Sequence, residues 1–131
     1  MEIPAISDAE WEVMNVIWAA PAAVTAADVV APLCGPNGWS PRTVKTLLNR
    51  LVVKGALTFE TQGKRYLYRA AVPRARCVRQ ESKSFVSRVF GGAAGPMLVN
   101  FVEQTDLSDA EIEELHEVLA RKRARRRERK S

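Results

Sequence analysis

Apolar positions recur along this chain at helical spacing in several stretches and alternate at strand spacing in one region. The clearest stretch is Ser40-Pro-Arg-Thr-Val-Lys-Thr-Leu-Leu-Asn-Arg-Leu-Val-Val-Lys54. Val44, Leu47, Leu48 and Leu51 fall at i, i+3, i+4 and i+7, while Arg42, Lys45, Thr46 and Asn49 repeat that spacing on the other side. Ser40 suits the cap, Pro41 the first helical position and Gly55 the end. Upstream, Ser7-Asp-Ala-Glu10 has the form of a capping box, with Ile6 and Trp11 placed as a hydrophobic staple. It opens a helix over 8–19 whose Trp11, Met14, Ile17 and Trp18 share one side and are expected in the core, before Pro21 ends it. Thr25-Ala-Ala-Asp28 opens a second helix with Val29, Val30 and Leu33 inward. Pro32 removes one of its backbone bonds, so this helix is expected to be short or kinked and to end by Gly35. A turn over Gly35–Gly38 and a staple from Trp39 to Val44 follow.

After Gly55 the period changes. Leu57, Phe59, Tyr66 and Tyr68 alternate across Ala56–Thr61 and Arg65–Ala70 around a Gln62-Gly-Lys64 turn, which predicts a hairpin. Three helices and a basic-tipped hairpin make a winged helix-turn-helix domain over residues 1–72. Pro73 opens a second half: a helix over 74–90 ended by Gly91-Gly92, a short apolar helix over 96–103, and a last helix begun by a second capping box at Ser108-Asp-Ala-Glu111. Their narrow stripes, Val78, Phe85, Val89 and Phe90, then Leu98, Phe101 and Val102, then Ile112, Leu115 and Leu119, have no evident partner within the chain. A second copy would cover them, so residues 73–120 are expected to be a helical dimerisation region of an isologous homodimer. Residues 121–131 form a basic tail, expected to be frayed or disordered. The fold class is therefore mostly α with a small β-hairpin.

Charge sharpens the first domain. The net charge is +5, but residues 1–41 contain no Lys or Arg, whereas 42–69 hold Arg42, Lys45, Arg50, Lys54, Lys64, Arg65 and Arg69 against Glu60 alone. Cations, hydroxyls and an amide on one helix face suit a DNA major groove. Arg and Lys bond guanine or phosphate, Asn pairs with adenine and a Thr methyl packs on the thymine methyl. Ser40, Arg42, Thr43, Lys45, Thr46, Asn49 and Arg50 are the candidate reading residues, and Lys64, Arg65 and Tyr66 the wing contacts to phosphates or a minor groove. A nucleoid-type protein that coats DNA without preference would use the same cations and stays open as an alternative. Catalysis is not expected: the one His lies in an acidic helix, neither Cys sits in a nucleophile motif and no glycine-rich phosphate loop occurs. Cys34, Cys77 and His116 lack metal-site spacing, so no metal or cofactor is expected, and the two cysteines read as free thiols. No apolar run approaches a membrane span and no signal-peptide plan opens the chain, which points to the cytoplasm without membrane insertion.

The sequence resembles the penicillinase-repressor (BlaI/MecI) family of bacterial transcriptional repressors over about residues 5–120. The resemblance rests on Ser7-Asp-Ala-Glu-Trp-Glu-Val-Met-Asn-Val-Ile-Trp18, on Ser40–Leu51 and on Leu98-Val-Asn-Phe101. It implies a dimeric winged-helix protein on an inverted-repeat operator, of β-lactamase or cell-wall stress genes, with DNA contacts at the positions of Arg42, Thr43, Lys45, Thr46 and Arg50 and support from a wing matching Lys64 to Tyr66. It also implies a sensor-linked protease as partner, since some members are cleaved at a bond matching Asn100-Phe101; the other reading leaves Leu98, Phe101 and Val102 as dimer core. The cysteine-rich tail of copper-responsive relatives has no counterpart, and the basic tail here is not carried over from the family. That tail either adds phosphate attraction or lies against the acidic stretch from Glu103 to Glu117.

Overall fold

The computed structural model describes residues 2–130. The elements are α1 (Asp8–Ala19), α2 (Ala26–Asn37), α3 (Pro41–Lys54), β1 (Leu57–Gln62), β2 (Arg65–Ala70), α4 (Arg74–Phe90), α5 (Ala94–Gln104) and α6 (Asp109–Lys130). They divide into two compact units, one through Ser82 and one from Lys83 onward.

The first unit closes around one core. Val13, Met14 and Ile17 of α1, Val29 and Leu33 of α2, and Val44, Leu47, Leu48 and Leu51 of α3 are buried with Val24, Leu57, Val72 and Cys77. Each helix starts where its cap dictates. The Ser7–Glu10 and Thr25–Asp28 boxes are both closed reciprocally, and Ser40 Oγ accepts from the Thr43 amide at 3.2 Å. Trp11 and Trp18 pack against this core with ring centroids 5.6 Å apart, and Trp18 Nε1 donates to the Val72 carbonyl at 3.0 Å. The two strands pair antiparallel from Leu57↔Ala70 to Gln62↔Arg65. Gly63, at φ +65, takes the first turn position, and Lys64 follows without a positive φ, as a type II′ hairpin turn requires.

Several local expectations change. Helix α2 does not end by Gly35; it runs through Pro32, Gly35 and Pro36 to Asn37, and the left-handed cap is Gly38 at φ +67. Both prolines lie on the exposed side of the helix, and the Asn37 side chain donates to the Leu33 carbonyl at 3.0 Å, which satisfies one acceptor near the end. Val24 forms an isolated bridge with Tyr68: its amide donates to the Tyr68 carbonyl at 3.0 Å and its carbonyl receives the return bond at 2.7 Å. The compact unit runs through Ser82 and so takes in the start of α4. The first turns of α4 sink Cys77 into the core, where burial pushes its thiol pKa up, and Gln80 Nε2 donates to the Ile3 carbonyl at 2.9 Å.

The second unit contains the rest of α4, then α5 and α6. Gly91 and Gly92 both take positive φ, and the Gly92 amide bonds back six residues to the Val86 carbonyl at 3.0 Å, which satisfies one acceptor at the end of α4. Helix α5 starts at Ala94, after Ala93 at the cap position with no side-chain cap, whereas Ser108 and Glu111 cap α6 reciprocally. No residue of α5 or α6 is buried. Helix α6 continues unbroken through Lys130, so residues 121–130 are helical where fraying was expected. Ala, Arg, Lys and Glu are among the better helix formers, and cations near a C-terminus suit the helix dipole.

Candidate nucleic-acid interface

Helix α3 is held by one face and open on the other. Val44, Leu48 and Leu51 are fully buried, each worth about 1.5–3 kcal/mol of apolar burial, while Arg42, Thr43, Lys45, Thr46, Asn49 and Arg50 are exposed. Arg42, Lys45, Thr46 and Asn49 line one shallow hollow of about 420 Å³. Lys45 and Asn49 also border a larger groove, about 800 Å³, walled by α2 and closed on its far side by Lys64, Arg65, Tyr66 and Tyr68 of the hairpin. The structure thus brings together the helix and wing candidates. Thr43 and Arg50 sit on the same helix but line neither hollow.

The hydroxyl groups are partly committed. Ser40 Oγ is the helix cap and lies 3.2 Å from Thr43 Oγ1, so both serve the first turn of α3. Thr46 Oγ1 donates to the Arg42 carbonyl at 3.0 Å, which leaves its lone pairs and its methyl group for a ligand.

Charge is arranged as unevenly in space as along the chain. Lys54 does not join the open face: its Nζ donates to Glu10 Oε1 at 2.5 Å and to the Ala5 carbonyl at 3.0 Å. Glu10 is only 1% exposed. Burial, its largest single influence, raises the carboxyl pKa, but hydrogen bonds from Lys54 and Ser7 and the Lys54 charge together leave it below the ordinary range. Arg69 is 3.5 Å from Glu60 across the hairpin. Hydrogen bonds from the Thr25 amide and hydroxyl hold the exposed Asp28 carboxyl low, with a smaller contribution from the Arg65 charge nearby. Phe59, Tyr66 and Tyr68 form one aromatic face of the wing, with Phe59 and Tyr66 centroids 4.7 Å apart.

The sequence reading missed the Glu10–Lys54 pair, the Val24 anchor of the wing and the α2 wall of the groove. Only Glu10 left a local signal, as the third residue of a capping box, and that signal explains one of its roles. Among the described residues no group of three or more His, Cys, Asp or Glu could hold a metal ion, and no single helix is long and apolar enough to cross a membrane.

Residues 6–121 match the penicillinase repressor family. The chain belongs to that family. It is 37% identical over 127 residues to the penicillinase repressor of Bacillus licheniformis, covering 97% of this chain and 98% of that protein. It is 38% identical over 117 residues to the methicillin resistance regulatory protein MecI of Mammaliicoccus sciuri, covering 89% and 94%. The solution structure of monomeric B. licheniformis BlaI in complex with the blaP half-operator matches with a TM-score of 0.50 and 39% identity, over 56% of this chain and 89% of that one. The fold of this family member is accordingly a winged helix.

The candidate dimer residues are on a different part of the chain. Val78, Phe85, Val89, Leu98, Phe101, Val102, Ile112, Leu115 and Leu119 are between 36% and 62% exposed, an unusual state for so many large apolar side chains in one protein. Phe90 is half-buried, its ring 6.0 Å from that of Phe85. Asn100 and Phe101 are both exposed within α5.

Proposed function

We propose that this chain, a DNA-binding transcriptional repressor by family, acts in the cytoplasm as a homodimer that lays two copies of α3 into the major grooves of an inverted-repeat operator. One observation carries the reading: α3 buries its stripe of Val44, Leu47, Leu48 and Leu51 and gathers Arg42, Lys45, Thr46 and Asn49 in one hollow beside the cations of the wing. Arg42, Lys45 and Arg50 supply attraction to phosphate and guanine; Thr43, Thr46 and Asn49 supply choice of sequence. Ser40 fixes the angle at which the helix enters, and Lys64, Arg65 and Tyr66 hold the flanking backbone. Residues 1–72 with the first turns of α4 form the DNA-binding part, and the open apolar residues between 78 and 119 pair with those of a second copy. The half-operator bound by monomeric BlaI supports a two-fold site here.

Repression ends, in this proposal, when a sensor-linked protease cuts Asn100-Phe101. Helix α5 lacks a side-chain cap and contains Gly95-Pro96 in its first turn, so local opening around that bond costs little.

Footprinting on promoter DNA of the source genome identifies the protected repeat, and binding to it is then compared with a scrambled duplex at matched salt. Affinity for the repeat at least about 1000-fold higher is expected. A ratio near one would replace the repressor by a protein that coats DNA through charge alone.

A further inference from the structure

The C-terminal half of α6 is not needed for any contact assigned above. Arg121, Lys122, Arg123, Arg125, Arg126, Arg127, Arg129 and Lys130 are eight cations on ten residues, with Glu128 the one acid among them. All ten are exposed and helical. At 100° per residue these cations spread over about two thirds of the circumference and leave one arc to Ala124 and Glu128, so this end of α6 is a cylinder positive over most of its girth, with no apolar stripe. Its length is about 15 Å. Helical continuity from Asp109 to Lys130 also rules out one role suggested by composition: the basic half cannot fold back on the acidic half of its own helix.

A second copy is a poor fit for such a cylinder. Glu113, Glu114 and Glu117 of α6 lie on the side away from Ile112, Leu115 and Leu119, and Glu111, at the edge of that stripe, already accepts from the Ser108 amide and hydroxyl. A partner helix that packs on that apolar stripe would therefore set its cations mostly against Ile112 and Leu115, with Glu111 the nearest carboxylate of α6 beside them. Double-stranded DNA fits better, because it carries one charge per about 1.7 Å of axis, or about nine over the length of this segment.

We propose that the end of α6 is a second, sequence-independent DNA-binding element that engages phosphates beside the operator, outside the contacts of α3 and the wing. The proposal rests on the repressor reading only in the word operator; attraction to duplex DNA of any sequence is its core. The element raises the affinity for all DNA and steepens its dependence on salt, while α3 retains the choice of site. Its preformed helical state means little ordering is required on binding.

The test uses the full chain carrying Arg125→Gln, Arg126→Gln, Arg127→Gln and Arg129→Gln, since glutamine keeps helix propensity while removing charge. Circular dichroism checks that helicity is kept. Binding to a short scrambled duplex and to the footprinted repeat is measured between about 50 and 200 mM salt. The expected result is a slope of log K against log salt that falls by about 2–4 units on both duplexes, at about 0.9 for each phosphate no longer neutralised. An unchanged slope with intact helicity overturns the proposal. So does an unchanged slope with weakened self-association in sedimentation, which would assign this segment to a second copy. A wild-type protein that fails to separate the two duplexes defeats the repressor reading instead, and leaves the slope comparison to decide this one.

Discussion

Replacing Lys54 by methionine tests how the reading helix is fixed in place. Met keeps most of the aliphatic volume but removes the ammonium that bonds both Glu10 and the Ala5 carbonyl. The Glu10 carboxylate would then remain 1% exposed, with Ser7 as its remaining partner and Oε2 still without a bond. Breaking a buried ion pair by removing one member costs about 3–5 kcal/mol. The Lys54 side chain is 36% exposed, so water can replace part of that interaction, and about 2 kcal/mol is the better expectation. For a unit of this size that is a fall of about 8–16 °C in Tm. Urea unfolding followed by the fluorescence of Trp11, Trp18 and Trp39 reads it.

The acid side of the same experiment has a definite sign. In the wild type the Glu10 pKa is depressed, so its ionised form stabilises the fold above the ordinary carboxylate value of about 4.3 and that contribution fades as the pH falls through the lower folded value. Without Lys54, burial dominates and raises the folded pKa, so the variant is relieved as the carboxyl protonates on acidification. The gap between the two proteins should therefore be widest near neutral pH and narrow towards pH 4. A loss under about 0.5 kcal/mol at neutral pH, or a gap that does not change with pH, would refute the assignment of this pair as the tie between α1 and α3.

Two further outcomes follow from the site. Thr46→Ser keeps the hydroxyl that α3 uses on the Arg42 carbonyl but removes the methyl, so it should lose about 1 kcal/mol on the operator, with little change on scrambled DNA; equal loss on both duplexes in a fluorescence-anisotropy titration would make Thr46 a positioning residue. Exposure of producing cells to a β-lactam should release a fragment whose new N-terminus is Phe101, detected by mass spectrometry, and an intact chain in cells whose operator is derepressed would point to a different release step.

Local signals carried much of the fold. Three capping boxes, the stripe of Val44, Leu47, Leu48 and Leu51, and the Gly63 turn lie within a few residues of their partners, so their geometry is written in short spacing. The missed features join distant positions: Lys54 to Glu10, Tyr68 to Val24, Gln80 to Ile3. No periodicity encodes such meetings, because each depends on how three helices have already packed. Helix α2 departs from expectation for another reason. Proline has a high local cost, but Val29 and Leu33 are buried and hold the helix through both prolines, so tertiary packing overrides propensity. At the site, the cations and hydroxyls were legible by type, whereas the commitment of Lys54 to Glu10 and of Thr46 to the Arg42 carbonyl required three dimensions.

The bridge between Val24 and Tyr68 gives the wing a fixed root and an adjustable tip. Its two reciprocal bonds tie the hairpin to the segment between α1 and α2, well along the strand from Gly63 and Lys64. An inserted residue near Val24 would shift the register of the hairpin root and with it the core contact of Leu57, whereas extra residues between Gln62 and Arg65 would lengthen the reach of the cations and leave the root unchanged. In such a layout, divergence in how far a repressor grips the flanks of its site can accumulate at one turn without disturbing how its reading helix is aimed.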